Sequence, residues 1–183
     1  ICGTGDFTPG GFLAETAGQG LPSGGVLCLL FLMMIVGGAV KAGVMPLHSW
    51  LPSAMVAPTP VSALLHAVAV VKAGAFCVLR VVCYVFGPQL SIACGGAQVL
   101  AWAAALTIIV SSFIALRKDN LKARLAFSTV GQLSYIVMGI CVCAQASIAG
   151  ALFHMAAHAF LKITLFMCAG AIFVTTGLSE ISS

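Results

Sequence analysis

Five long runs of apolar residues, separated by short polar or proline-rich stretches, dominate the hydropathy pattern of the chain. Each run holds more than about 20 residues, and at 1.5 Å per residue a helix of that length crosses a hydrocarbon core of ~30 Å. In such a core only helices and closed barrels satisfy every backbone polar group. The pattern therefore predicts an all-α, polytopic transmembrane helix bundle with spans over residues 25–50, 59–86, 92–116, 121–143 and 147–176.

Prolines mark where the first span breaks and where the second begins. Pro46 lacks a backbone N–H and its ring clashes with the preceding turn, so the first helix should break near residues 43–46. Pro58 and Pro60 form a second break signal, and Thr59 between them is a good N-cap with proline at the first helical position. We therefore expect one broken helix among the five spans.

Four cations within eight residues follow the third span and predict the orientation of the bundle. Cytoplasmic loops carry the excess of lysine and arginine, so this loop is expected on the cytoplasmic side. Counting outward, residues 1–24 form an extramembrane loop on the exterior side, and residues 25–183 form the transmembrane domain. The four cations are Arg117, Lys118, Lys122 and Arg124.

The composition of the 183-residue chain supports the membrane interpretation. Hydrophobic residues make up 61% and charged residues only 7%, against about 25% charged in soluble domains. This balance argues against a soluble enzyme and against a disordered chain, and the few cations form no nucleic-acid footprint. The eight cysteines lack metal-binding spacing and are expected as small packing residues. The chain begins with Ile1 and resembles an internal fragment of a longer protein.

Three lysines lie inside predicted spans, where packing alone does not require them. A lysine at a helix centre costs about 2.5–3.5 kcal/mol on insertion scales. Intramembrane ionisable groups usually face a bundle interior or a water-filled cavity and mark an ion path. The alternative is a lysine whose long side chain reaches the membrane interface. The three residues are Lys41, Lys72 and Lys162.

His154, His158 and Lys162 form the most informative cluster. Their i, i+4, i+8 spacing drifts only about 80° around a helix, so the three side chains form one stripe about 12 Å long. Neutral histidine both donates and accepts a proton, which suits a proton relay. Two alternatives remain: histidines that hydrogen-bond neighbouring helices, and a metal site, although no carboxylate or cysteine ligand stands beside the stripe.

The second span carries two further candidates, His66 and Lys72. On a continuous helix they lie about 240° apart, which predicts that they face different neighbours. The spans hold almost no acidic residues, and buried lysines usually need a counter-charge. We therefore expect the partner carboxylates on helices or subunits outside this chain.

Three stretches of the chain, residues 41–66, 119–135 and 154–162, closely resemble the core of antiporter-like membrane subunits of the complex I superfamily. That family includes proton-pumping NADH:quinone oxidoreductases, multisubunit Na⁺/H⁺ antiporters and membrane-bound hydrogenases. The resemblance implies an inverted-repeat transporter fold, of which this chain covers the middle.

By motif, the resemblance implies that Lys41 is the lysine of the family's broken helix and that His66 is the histidine after the Pro-Thr-Pro turn. Lys72 matches a position that is lysine in only some subunits. The stripe of His154, His158 and Lys162 matches the central relay. The carboxylate that partners the broken-helix lysine lies on an earlier helix of the family and is absent here.

The leading functional hypothesis is a proton-translocating subunit of a redox-driven, NADH:quinone oxidoreductase-type complex. The chain itself would bind no cofactor and perform no redox catalysis, since flavin and iron–sulfur clusters would lie in partner subunits. Its partners would be other membrane subunits, the lipid bilayer and protons, or Na⁺, but no nucleic acid. The expected location is a bacterial or archaeal inner membrane.

Four alternative functions remain. The first two are Na⁺/H⁺ exchange without electron transfer and a role as a hydrogenase or formate hydrogenlyase subunit. The third is a membrane haem protein, which is disfavoured because His66 is the only histidine of its span, and the fourth is a purely structural subunit.

Overall fold

The computed structural model of the chain describes residues 24–56, 58–67 and 69–182. Apart from its last residue, the loop predicted over residues 1–24 lies outside this described part. The helices are α1 (Gly24–Ala42), α2 (Trp50–Ser53), α3 (Thr59–Ala67), α4 (Val70–Arg80), α5 (Pro88–Ala93), α6 (Gly96–Arg117), α7 (Leu121–Cys141) and α8 (Gln145–Thr176), with a 3₁₀ turn at Ala54–Val56 and a π turn at Val81–Val85.

Five helical stretches are long and apolar enough to cross a membrane. One of them, Thr59–Val85, contains both α3 and α4, and the other four are α1, α6, α7 and α8. The prediction of an all-α bundle of about five spans is therefore confirmed. The third span begins at Gly96 and not near residue 92, because Gly95 adopts a left-handed conformation (φ +73°) that separates it from the short helix α5.

The predicted break in the first span follows α1. Gly43 adopts a left-handed conformation (φ +74°), which ends the helix, and Pro46 lies in the unwound segment of residues 43–49. The indole Nε1 of Trp50 donates a hydrogen bond of 2.7 Å to the carbonyl of Val40. This bond satisfies one of the backbone acceptors that a helix leaves open at its C-terminal end.

The second span starts where the prolines predicted. Helix α3 begins at Thr59, with Pro60 in its first turn, and the amide of Ser62 donates to the carbonyl of Pro58 over 3.0 Å. Pro58 thus stands just outside the helix, one residue before the N-cap position that we predicted.

The second span is also interrupted at a place that the sequence did not predict. Helix α3 ends at Ala67 and α4 begins at Val70, while the amide of Ala69 donates to the carbonyl of Leu64, five residues earlier. This bond spans five residues where an α-helix spans four. The side chains of α4 are therefore rotated about the helix axis relative to the positions that a continuous helix would give them.

Helix α7 lies at the centre of the bundle and packs against α6, α8 and α4, while α3 packs on α8 and α1 on α4. Its N-terminus is capped by Asn120, whose side chain accepts a hydrogen bond from the amide of Ala123. The neighbouring Asp119 instead bonds Ser182 beyond α8. The core contains large, fully buried side chains from several helices, including Phe31, Ile35, Val78, Leu133, Ile136 and Ile140.

Two glycines allow α1 and α4 to approach each other closely. A Cβ atom added to Gly74 would lie 2.5 Å from the amide nitrogen of Ala42 and 2.7 Å from the Cβ of Lys41. A Cβ added to Gly38 would lie 3.0 Å from Val78. Small residues at such crossings let backbones come into contact in membrane bundles.

We predict that Gly74→Val destabilises the full-length subunit by about 1–3 kcal/mol, because the added atoms meet backbone that cannot move aside. The control is Gly37→Val, since a Cβ at Gly37 meets nothing within 4 Å. Thermal unfolding of the two variants in mild detergent measures the difference. Equal melting temperatures for both variants would contradict the close crossing.

Candidate functional site

The His/Lys stripe of α8 faces the interior of the bundle. His158 and Lys162 are each only 3% exposed, and His154 is half-buried. By contrast, Phe153 and Phe160 on the same helix are 79% and 75% exposed. The ionisable side chains thus lie on the buried face and the aromatic ones on the outer face, as the i, i+4, i+8 spacing requires.

Lys72 of α4 meets this stripe at His158. The two side chains are 86 residues apart in sequence, yet Lys72 Nζ lies 2.9 Å from His158 Nδ1. This is hydrogen-bond distance, so one of the two nitrogens carries a proton and the other accepts it. When Lys72 is an ammonium, His158 is neutral with its own proton on Nε2.

Lys162, at the C-terminal end of the stripe, contacts α7. Its Nζ donates a hydrogen bond of 3.1 Å to the carbonyl of Leu125. Within the described residues, neither Lys72 nor Lys162 contacts a carboxylate. That the counter-charges lie outside this chain stays a prediction.

His66 is fully buried, and its ring lies 5.4 Å from the ring of Phe166 on α8. Its carbonyl is 3.5 Å from Lys72 Nζ. The prediction that His66 and Lys72 face different neighbours is therefore wrong, since both face α8. The reason is the interruption between α3 and α4, which invalidates the angle calculated for a continuous helix.

The remaining predicted residues are placed differently. The ring of His154 stacks on that of His158, with centroids 6.3 Å apart. Lys41 lies in the last turn of α1, beside the break, and its side chain is exposed in the described part of the chain. The structure thus brings His66, Lys72, His154, His158 and Lys162 together around α8 and leaves Lys41 apart.

Sequence reasoning overlooked His48 and Thr107. His48 lies in the unwound segment, with a buried Nδ1 and its ring centroid 6.3 Å from that of Phe127. Thr107 of α6 is fully buried and accepts a 3.0 Å hydrogen bond from the amide of Met45 in the same segment. A histidine next to a helix break was a usable signal for His48, whereas nothing in the sequence singles out Thr107.

The surroundings of the stripe include a cavity but, within the described residues, no grouped metal ligands. In the part of the chain that the structure describes, no three His, Cys, Asp or Glu side chains are grouped to hold a metal ion. A cavity of about 240 Å³ adjoins the stripe, lined in part by Ser128, Gln132, His154, His158 and Lys162. It is large enough for several water molecules, each of which occupies about 30 Å³ in the liquid.

Comparison with known proteins finds one family that matches nearly the whole chain. The family described as NADH:quinone oxidoreductase/Mrp antiporter, TM, matches residues 12–182. NAD(P)H-quinone oxidoreductase chain 5 of Synechocystis sp. is 37% identical over 171 residues, which cover 93% of this chain and 24% of the relative. NADH-ubiquinone oxidoreductase chain 5 of Cryptococcus neoformans is 38% identical over 147 residues, 80% of this chain and 21% of the relative. The chain therefore spans about a quarter or less of these curated relatives.

Solved structures show the same helical arrangement. A chain of the Mrp complex from Dietzia sp. DQ12-45-1b superposes with a TM-score of 0.79 at 33% identity, over 93% of this chain and 18% of that one. A chain of the membrane-bound sulfane sulfur reductase, an archaeal respiratory membrane complex, gives 0.74 at 29% identity, over 87% and 32%.

We predict that Lys72→Met and Lys162→Met leave the full-length subunit at least as stable as the wild type. Methionine fills a similar volume without a charge to bury, so the free energy of unfolding should rise by up to about 3 kcal/mol. Melting temperatures in mild detergent provide the measurement, with the exposed Lys118→Met as the control. A marked fall in the melting temperature of Lys72→Met or of Lys162→Met would mean that these lysines anchor the structure.

Proposed function

The chain belongs to the NADH:quinone oxidoreductase/Mrp antiporter transmembrane family, and on that premise we propose that it forms part of a proton path across the membrane. The observation that carries the proposal is the 2.9 Å contact between Lys72 Nζ and His158 Nδ1 in the bundle interior. Two groups that both bind protons, at hydrogen-bond distance and without a carboxylate partner among the described residues, suit proton transfer better than structural pairing.

The transfer step between the two groups is simple. An N–H bond of the Lys72 ammonium breaks and a bond from that proton to His158 Nδ1 forms, leaving a neutral amine and an imidazolium. The imidazolium then passes the proton of Nε2 to a water molecule, so that an N–H bond breaks and an O–H bond of hydronium forms. Nε2 is free for such a water, since it has no hydrogen-bond partner within the described residues. Proton entry at one ring nitrogen and exit at the other gives the relay a direction along the stripe.

Electrostatic repulsion couples the lysines. Lys72 Nζ lies 2.9 Å from His158 Nδ1, so a proton on one of these two groups disfavours a second positive charge on the other. The buried setting strengthens this repulsion, because fewer water dipoles screen it. A charge arriving at one end of the stripe therefore promotes release at the other end.

Within the family, we assign the chain to a subunit of a redox-driven quinone oxidoreductase complex. The similarity to the chain 5 relatives supports this assignment. Other membrane subunits are its partners, and flavin and iron–sulfur clusters lie in subunits outside the membrane domain. The chain is an integral membrane protein with five candidate spans. We assign it to a bacterial or archaeal membrane, although its relatives include chloroplast proteins.

A second candidate function is Na⁺/H⁺ exchange without electron transfer. The superposition on a chain of an Mrp complex favours it. In that case the same lysines exchange protons against sodium, and no flavin or iron–sulfur subunit accompanies the complex. Native gel electrophoresis with mass spectrometry of the comigrating subunits separates the two functions.

We predict that Lys162→Met abolishes proton transport by the full-length subunit in its native complex while the complex still assembles. Methionine can neither bind nor release a proton, yet it fills the space beside Leu125. Proton uptake into membrane vesicles is the measurement, driven by an electron donor or by an imposed Na⁺ gradient. Wild-type transport by this variant would refute the relay.

Lys118→Met serves as the matched control, because it removes the same charge from an exposed position in the loop after α6. It should transport protons at the wild-type rate. Transport driven by an electron donor without sodium supports the redox-driven pump, whereas transport that requires a Na⁺ gradient supports exchange.

A further inference from the structure

One backbone carbonyl of α7 accepts hydrogen bonds from two side chains at once. Lys162 of α8 donates from Nζ to the carbonyl of Leu125 over 3.1 Å, and the hydroxyl of Thr129 donates to the same oxygen over 2.9 Å. In an α-helix this oxygen also receives the amide of the residue four positions later, which is again Thr129. Three donors, one of them a lysine, therefore converge on an oxygen that has two lone pairs.

A hydroxyl that donates to the carbonyl four residues earlier is common in helices and by itself serves the helix. Ser134 of α7 makes such a bond to the carbonyl of Val130 over 2.9 Å, and Thr164 of α8 makes one to the carbonyl of Phe160. The bond of Thr129 differs because of the lysine. In the part of the chain that the structure describes, no other carbonyl accepts both a serine or threonine hydroxyl and a lysine ammonium.

The Leu125 carbonyl is the main hydrogen-bond partner of Lys162. Among the described residues it is the one acceptor that Lys162 Nζ reaches. Both donors lie in the bundle interior, since Thr129 is fully buried and Lys162 is 3% exposed. Hydrogen bonds and charges act more strongly there than in water. How well this oxygen accepts therefore affects how firmly Lys162 holds its proton.

The Thr129 hydroxyl weakens that hold for two reasons, and both act in the same direction. Each donor draws electron density from the oxygen, so a carbonyl that already accepts a hydroxyl is a poorer acceptor for an ammonium. The hydroxyl hydrogen also carries a partial positive charge and points at the oxygen that the ammonium approaches. Both effects raise the free energy of the charged ammonium more than that of the neutral amine, and they therefore favour release of the proton.

We propose that Thr129 is a positioning residue that promotes proton release from Lys162 by sharing the Leu125 carbonyl with it. This inference rests on the proposed proton function. On release, an N–H bond of the ammonium breaks and an O–H bond of a water molecule forms, which leaves a neutral amine and hydronium without any redox change. The amine is the weaker donor, so it loses less than the ammonium when the carbonyl is shared.

The ionisable groups near Lys162 come from three helices and keep their charges when Thr129 is replaced. The two cations at the start of α7 are directed elsewhere. Lys122 Nζ lies 5.0 Å from the centroid of the Phe173 ring, and Arg124 donates to carbonyls at the end of α6. A shift caused by replacing the hydroxyl therefore acts through the shared carbonyl. The three nearby groups are His158 of the same stripe, Lys72 at 2.9 Å from His158, and His66, whose ring packs on Phe166.

The pH dependence of proton transport by the full-length subunit in its native complex tests this role. Thr129→Val replaces the hydroxyl by a methyl group, so the charged form of Lys162 becomes more stable. The pH at which transport falls on the alkaline side should rise by about half a unit to one unit, the size of one neutral hydrogen bond. Thr129→Ser keeps the hydroxyl and should restore the wild-type profile.

Ser134→Ala is the matched control. It removes another fully buried hydroxyl of α7, but no lysine contacts its acceptor, the Val130 carbonyl, within the described residues. The pH profile of this variant should equal that of the wild type. Thr129→Ala is the second test variant, since it removes the hydroxyl without adding a methyl group. It should shift the profile in the same direction as Thr129→Val, and it keeps the test decisive if the valine variant does not assemble.

Three results would overturn the role of Thr129. The first is an unshifted pH profile in Thr129→Val and Thr129→Ala. The second is a loss of rate at every pH with an unchanged alkaline midpoint, which is the effect of a purely structural change. The third is an equal shift in Ser134→Ala, because any buried hydroxyl of α7 would then have the same effect.

The failure of this inference is distinguishable from the failure of the proton function. If Thr129→Val leaves the pH profile unchanged while Lys162→Met is inactive, the relay stands and the Thr129 hydroxyl serves its own helix. If Lys162→Met transports protons at the wild-type rate, the proton function itself is wrong.

Discussion

The contact between Lys72 Nζ and His158 Nδ1 is the interaction on which the proposed proton path depends. Two basic groups 2.9 Å apart, without a contacting carboxylate in the described residues, are stable together only when they share a single proton. Two features of the fold bring them together. The interruption after Ala67 turns α4 so that its lysine faces α8, and the glycine crossing of α1 and α4 fixes the position of α4.

The unwound segment after α1 is a second constraint of the same kind. Free backbone groups in a membrane must be satisfied within the protein, and here the indole of Trp50 and the hydroxyl of Thr107 satisfy two of them. This arrangement holds Lys41 at a helix end, with its side chain exposed in the described part of the chain. A lysine in that position is available to a carboxylate on a neighbouring helix, which is where the missing counter-charge is expected.

Much of the fold was predictable because membrane burial imposes strong patterns on a sequence. The apolar runs predicted five spans, Pro46, Pro58 and Pro60 marked the breaks, and the spacing of His154, His158 and Lys162 placed them on one buried face. The interruption between α3 and α4 was not predictable, since no proline or glycine lies there. The pairing of Lys72 with His158 depends on that interruption and on helix packing, so the sequence named both residues but not their contact. The relay role of the six predicted residues stays a prediction.

The most direct test of the central claim is a double-mutant cycle on proton transport by the full-length subunit, using Lys72→Met, His158→Gln and the double variant. If one proton passes between the two side chains, each single change interrupts the same step. The double variant should then be no slower than the slower single variant, because the effects of residues that act as a unit are not additive. Rate losses that multiply in the double variant would show that Lys72 and His158 act independently, and would contradict the shared proton.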